Sequence, residues 1–309
     1  MLGLPKEVVI EDEFLRDGLQ IEQRLFSVQE KLEFAAAIEQ CGVGRIQLGS
    51  FVHPKRIPQM ANTDEVFDTL DRTPGVTYTA LVLNMAGLDR ALKVGVKHLS
   101  ISLSASETHS RANLNKSVSE ARSKIRPVVE RALAEGVTVR AGIQSALGCG
   151  FEGRIDPAIV FDLACGFAEM GVHEVNISDT AGLANPAQVF EICRRLMDEL
   201  PDVEFSLHLH DTRGLGIANM LAGLQAGIRV FDAALGGLGG CPFIPKASGN
   251  IATEDAAFLC EQIGVATGID WAALAAPVKR AEEMLGRSLP GKVSQVPLPP
   301  RWTSNGAAA

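Results

Sequence analysis

VEFSLHLHDTRGLGIANMLAGLQAGIRVFDAA, from Val203 to Ala234, holds a strand, a helix and the next strand. Val203–His210 reads as a strand, Leu215–Ala226 as a helix and Arg229–Ala234 as the following strand. The same unit recurs outward in both directions at intervals of roughly 30 residues. Towards the N-terminus the strands are Val8–Glu11, Val43–Leu48, Val76–Leu83, Lys97–Leu103, Val137–Ile143 and Glu174–Ile177. Between them, Ser27-Val-Gln-Glu30 forms a capping-box signature that opens a helix through Glu39, with Gly42 as its stop. Further helices are read at Thr63–Asp71, Met85–Lys93, Ser117–Glu135 and Pro157–Met170. Pro186 starts another that reaches Leu200, at a position where its missing N–H costs nothing. Thr253–Ile263 closes the series. Eight β-then-α units imply parallel pairing and right-handed crossovers, so the predicted fold is an α/β (β/α)8 TIM barrel. An open doubly wound sheet would be supported by G-x-G-x-x-G after the first strand, and the chain has none there.

The predicted catalytic barrel spans residues 1–267, and 268–309 form a C-terminal extension. In that extension Trp271–Leu285 reads as helix and Pro297–Ala309 as a poorly ordered tail. Apolar residues at 46% and charged residues at 21% exclude a disordered or collagen-like chain of 309 residues. The net charge of −8, with no basic run, argues against nucleic acid. Met1–Glu7 is no charged-then-apolar leader, and no apolar run approaches the ~18–20 residues of a membrane span. A soluble, cytoplasmic protein is expected. Six cysteines, at 41, 149, 165, 193, 241 and 260, form no C-x-x-C pair, so zinc-ribbon and redox readings fail. Cys41, Cys165, Cys193 and Cys260 lie on helix patterns and are read as core.

A barrel of this kind works at the C-terminal ends of its strands. Arg16-Asp17-Gly18-Leu19-Gln20 follows the first strand, and His208-Leu209-His210-Asp211-Thr212 ends the seventh. Gly236-Gly-Leu-Gly-Gly-Cys241 and Ser248-Gly249-Asn250 follow the eighth. Closure makes these three strands neighbours. His208 and His210, two apart on a strand, face the same side with Cα atoms ~6.6–7 Å apart and can both reach one cation. Asp17 adds a carboxylate and Asn250 an amide oxygen. Two nitrogen and two oxygen ligands suit Mg²⁺, Mn²⁺, Co²⁺ or Zn²⁺. Arg16 is an always-charged donor placed where negative charge develops. Four glycines in six residues read as a mobile flap that carries Cys241, a candidate proton donor or acceptor. His53, His98, His109 and His173 are read as structural or solvent-facing.

These segments resemble the 3-hydroxy-3-methylglutaryl-CoA lyase family over residues 8 to 269. The likeness is carried further by Ser50-Phe51-Val52, Ala146-Leu147-Gly148-Cys149, Asp179-Thr180 and Ala247-Ser248-Gly249-Asn250. The Gly-rich Cys segment and the Ser-Gly-Asn segment are specific to it. The Arg-Asp-Gly and H-x-H elements are shared with metal-dependent Claisen-type synthases and aldolases. The resemblance implies a homodimeric barrel that cleaves a 3-hydroxyacyl-CoA by a retro-Claisen reaction. It implies cation binding by Asp17, His208, His210 and Asn250, enolate stabilisation by Arg16, and proton transfer by Cys241, with Asp17 or His208 as base. Gln20, Gln47, Gly142, Asn176 and Thr180 then face the substrate. Three of these depart from the family pattern: Gln47 stands where Glu is expected, Gly142 where Tyr is, and Asn176 where Ser is. The departures surround the acyl portion, so citramalyl-CoA or a bulkier 3-substituted 3-hydroxyglutaryl-CoA stands beside 3-hydroxy-3-methylglutaryl-CoA as substrate. A condensing synthase would carry a large C-terminal domain, whereas about 40 residues follow this barrel. An oxovalerate-type aldolase would show a His soon after Arg-Asp-Gly. A non-catalytic binding barrel would have no reason to keep Asp17, His208, His210, Cys241 and Asn250.

Overall fold

The computed structural model describes residues 3–240 and 249–297. Eight parallel strands close into a barrel in chain order: β1 Val9–Asp12, β2 Arg45–Ser50, β3 Thr77–Leu81, β4 His98–Ser104, β5 Thr138–Gln144, β6 Glu174–Asp179, β7 Glu204–Leu209 and β8 Val230–Ala233. β8 returns to β1 with Val9 opposite Val230 and Asp12 opposite Ala233. The predicted (β/α)8 TIM barrel is the observed fold. Each predicted strand overlaps an observed one, with ends shifted by a few residues.

The helices are α1 Val28–Gln40, α2 Thr63–Thr69, α3 Met85–Lys93, α4 Glu107–Leu114, α5 Val118–Ala134, α6 Pro157–Glu169, α7 Pro186–Glu199, α8 Gly216–Ala226, α9 Thr253–Gln262 and α10 Ala275–Leu285. The capping box at Ser27 and Glu30 is formed in both directions. Pro186 occupies the first turn of α7, after the Asn185 cap. α4 has no counterpart in the sequence reading, because its residues ETHSRANL carry no apolar stripe. It begins instead with Ser106 Oγ accepting from the His109 amide at 3.0 Å. Beyond the barrel, Trp271, Leu274, Val278 and Ala281 join the barrel's own hydrophobic core. No helix among the described residues is long and apolar enough to cross a membrane.

Inside the barrel, bulky aliphatic layers are the usual filling. Here the inward positions are polar and buried: Glu11, Arg45, Gln47, Thr79, Ser100, Arg140, Glu174, Asn176, Ser206 and Asp232. The aliphatic residues face the helices instead, as with Ile46, Leu99, Val139, Val175 and Leu207. Arg140 sits at the centre of the interior. It pairs with Asp232 at 2.5 Å, Glu13 at 3.0 Å and Glu11 at 3.3 Å. Arg45 completes the lower layer, bound to Glu11 at 2.5 Å and Glu174 at 2.9 Å. Arg140→Met removes the cation that three buried carboxylates share, and removing one partner of a buried pair costs ~3–5 kcal/mol. Urea unfolding followed by tryptophan fluorescence at neutral pH is expected to register a loss in that range. A loss under ~1 kcal/mol would mean that the interior ions do not hold the barrel together.

Candidate active site

β1 ends at Asp12, and the chain turns at once through a single π-helical turn, Phe14–Gly18. Turns of this kind are rare and recur at functional sites. Phe14 and Leu15 are buried, and Arg16 and Asp17 are set at the barrel mouth. The second contribution comes from β7, where His208 and His210 point inward together as their spacing requires. The third is the segment after Gly249. It lies along β7, with Asp211 N donating to Gly249 O at 2.8 Å and Ile251 N to Leu209 O at 3.1 Å. This pairing places Asn250 beside His210.

The three segments meet. Asp17 Oδ2 accepts from Asn250 Nδ2 at 2.8 Å and lies 3.9 Å from His210 Nε2. His208 Nε2 and His210 Nε2 face each other at 3.0 Å. One ligand atom each from Asp17, His208 and His210 can lie within 4.8 Å of the others. Asn250 Oδ1 is buried and has no hydrogen-bond partner among the described residues. Two convergent imidazole nitrogens, a carboxylate and an orphaned amide oxygen fit a divalent cation. A second cluster, Glu13, His208 and Asp232, also has ligand spacing. Its carboxylates are already held by Arg16 and Arg140, so the first cluster suits a cation better.

Asp232 decides how His208 presents itself. Burial alone would raise the Asp232 pKa, but the Arg140 guanidinium and the His208 hydrogen bond outweigh it and hold the group below the usual carboxylate range. The anion accepts from His208 Nδ1 at 3.1 Å, which leaves Nε2 directed at His210. At His210, burial and then the neighbouring His208 push the pKa down to about 4, which favours the neutral, ligand-competent ring. Burial would raise the Asp17 pKa, but Arg16 and the two histidines outweigh it and lower the value. Glu13 differs from both: burial dominates and pushes its carboxyl up to about 7.

Arg16 donates from Nη1 to Asp17 Oδ1 at 2.5 Å, from Nη2 to Glu13 and from Nε to Gln47. The mouth opens into a cavity of about 790 Å³ that includes Arg16, Asp17, Gln20, Gly142, Asn176, Thr180, His208 and His210. Gln20, Gly142, Asn176 and Thr180, read from the sequence as facing the substrate, line this cavity. Thr180 also accepts from the Ser145 amide at 2.9 Å, and Asn176 braces Asp232 at 3.2 Å.

Gln47 is corrected. It is fully buried beneath Arg16 and outside the cavity, with its amide nitrogen 3.1 Å from each of Glu11, Glu13 and Ser100. With Arg16 on its oxygen as well, it has no capacity left for substrate. Of the expected flap, Gly236–Gly240 are described and buried. At Gly239, with φ near +136°, a Cβ would lie 2.4 Å from Asn250 Nδ2 and 3.2 Å from Asp17 Oδ2. Cys241 lies outside the described residues. Cys41, Cys193 and Cys260 are buried as expected, while Cys165 is half-buried.

Sequence reasoning missed Glu13, Arg140 and Asp232. A usable signal exists for the last two. Each is a charged residue at an inward position of an otherwise apolar strand, where a charge needs a partner across the barrel.

Asp232→Asn keeps the shape but removes the anion that orients His208. Losing such a partner typically costs ~10–100-fold in metal affinity. Titration with Mn²⁺, with free ion read by electron paramagnetic resonance, is expected to register that loss. An unchanged affinity would remove Asp232 from the support of the site.

The HMGL-like family model matches residues 7–279 of this chain. A hydroxymethylglutaryl-CoA lyase of Bacillus subtilis is 40% identical over 292 residues, covering 94% of this chain and 98% of that one. An (R)-citramalyl-CoA lyase of Chloroflexus aurantiacus is also 40% identical, over 93% of this chain and 94% of its own length. Among solved structures, an HMG-CoA lyase from Acinetobacter baumannii in complex with coenzyme A and 3-methylmalate superposes with a TM-score of 0.91. It is 36% identical and covers 96% of this chain and 97% of its own.

Proposed function

The chain belongs to the HMGL-like family, and on that premise we propose that it is a carbon–carbon lyase that cleaves a 3-hydroxyacyl-CoA by a retro-Claisen reaction. Cleavage of 3-hydroxy-3-methylglutaryl-CoA in this way yields acetyl-CoA and acetoacetate. The observation that carries the reading is the convergence of Asp17, His208, His210 and Asn250 beside Arg16 at the barrel mouth.

Asp17, His208, His210 and Asn250 would hold a divalent cation, Mg²⁺ or Mn²⁺ in the first instance, with Co²⁺ or Zn²⁺ compatible with the same donors. Such an ion supplies Lewis acidity, lowering the pKa of a tertiary hydroxyl bound beside it. Asp17 or His208 then takes the hydroxyl proton. As the C2–C3 bond breaks, the C3 oxygen becomes the carbonyl of the keto product and the bonding pair passes to C2 and the thioester oxygen. Arg16 faces that developing charge, where one placed donor is worth ~2.7–4 kcal/mol. Cys241 returns a proton to C2, giving the methyl group of acetyl-CoA. A homodimer is the form that the family resemblance implies, and sedimentation velocity on the full chain reads it.

The acyl wall supports a 3-substituent larger than methyl. Gly142 adds no side chain to the cavity, and Leu81, Leu83, Met85, Leu114 and Val128 line it with apolar surface. The reading as a condensing synthase or aldolase has no observation in its favour.

Two outcomes are expected. Arg16→Gln lowers kcat by ~10²-fold or more with a smaller change in KM, and an effect confined to KM would mean that it only binds substrate. In the second, the chelated protein is inactive, Mg²⁺ or Mn²⁺ restores it, and kcat/KM is highest for a longer 3-alkyl 3-hydroxyglutaryl-CoA. A Cβ at position 142 meets Ser102 Cβ at 3.3 Å, a contact that a small shift relieves. Gly142→Tyr is therefore expected to exclude the larger substrate selectively. A tenfold preference for the methyl compound, ~1.4 kcal/mol, would overturn the enlarged pocket.

A further inference from the structure

We propose that Glu13 is the positioning residue that holds Arg16 at the reaction centre. The proposal rests on the retro-Claisen reading only for what Arg16 does, and it concerns a residue that reading does not use.

Arg16 has three anchors, and they are not equivalent. Asp17 shares its other oxygen with Asn250 and His210, so it belongs to the cluster suited to a cation. The two remaining anchors, Glu13 and Gln47, lie on the buried side of the guanidinium. Glu13 acts through both. Its Oε2 takes Arg16 Nη2 directly. Its Oε1 lies 3.1 Å from Gln47 Nε2, and Glu11 accepts from the same nitrogen at 3.1 Å. With two carboxylates on its amino group, the Gln47 amide can present only its carbonyl oxygen to Arg16 Nε. Glu13 is itself pinned from below by Arg140 Nη2 at 3.0 Å. Acceptors on two different guanidinium nitrogens, Nη2 and Nε, fix the group's plane as well as its place.

Gln47 brings only a neutral amide to Arg16, and a Glu at that position would put a carboxylate there. Glu13 brings a carboxylate to within hydrogen-bonding distance of the same spot from just beyond β1. A plain structural role for Glu13, as counter-ion to Arg140 alone, would make Arg16 indifferent to its loss.

The test uses the full Mn²⁺-loaded chain and three forms: wild type, Glu13→Gln, and Glu13→Gln combined with Gln47→Glu. Arg16 modification by phenylglyoxal, followed by mass spectrometry of the peptide, needs no substrate. Glu13→Gln is expected to speed it at least fivefold with Mn²⁺ stoichiometry intact. With whichever acyl-CoA the wild type cleaves, Glu13→Gln is expected to lower kcat by ~10²-fold, the scale of losing a placed donor, while KM stays within about threefold. The double variant, which puts a carboxylate on β2, is expected to recover both readouts to within fivefold of wild type. Should Glu13→Gln not fold, Glu13→Asp, one methylene shorter, is expected to move both readouts the same way. Unchanged modification and kcat would overturn the proposal, as would lost Mn²⁺ stoichiometry or a double variant no better than the single one. If no acyl-CoA is cleaved even by the wild type, the proposed reaction fails, while the modification arm still decides the role of Glu13.

Discussion

Arg140 is the constraint on which the rest depends. A guanidinium in the middle of a closed barrel loses its water and must be surrounded by acceptors. Asp232, Glu13, Glu11 and Ser100 supply them from strands β8, β1 and β4. The barrel therefore closes around a hydrogen-bonded ion cluster, with its aliphatic residues packed outward against the helices. Such a cluster is no cheap source of stability, since burying ions is costly. What it does supply is geometry, because each member can be satisfied in only one arrangement.

That geometry leads to the mouth by two arms. One runs from Arg140 through Asp232 to His208, and sets which ring nitrogen faces His210. The other runs from Arg140 through Glu13 to Arg16. The same cluster splits its carboxyl groups: Asp232 is held low by Arg140 and His208, while burial takes Glu13 up to about 7. The His208 side and the Arg16 side of the mouth are thus oriented by one buried residue. Glycine supports them from the other flank, since Gly239 lets the backbone pass Asn250 and Asp17 at a distance no side chain would permit.

Solved structures 36–40% identical to this chain share its fold over nearly their whole length. The donors suited to a cation, Asp17, His208, His210 and Asn250, converge at the mouth, while Gln47, Gly142 and Asn176 are read from the sequence as facing the substrate. Of these, Gly142 and Asn176 line the cavity, whereas Gln47 lies below it. A change at 142 alters the space offered to the acyl group. A change at 47 alters how Arg16 is held. Residues that look like one group of pocket substitutions in the sequence separate into two physical roles.

The fold and the shared face of His208 and His210 were legible because both rest on short-range rules. Strand and helix periodicity, the Ser27 box and the Pro186 start are local, and two histidines two apart on a strand share a face whatever surrounds them. α4 escaped because it is held by a cap and carries no apolar stripe. Arg140, Asp232 and Glu13 also escaped. Each is an ordinary charged residue in sequence, and its partner lies 92, 24 or 127 positions away across the barrel. Gln47 was assigned to the substrate for the same reason: strand alternation says that it points inward, but not at what depth. The sequence by itself determined a parallel eightfold barrel and the residue types at its mouth. Only the tertiary structure decided which charges meet inside, because burial turns a solvated side chain into one that must find a partner, and the closed barrel dictates which partners are within reach.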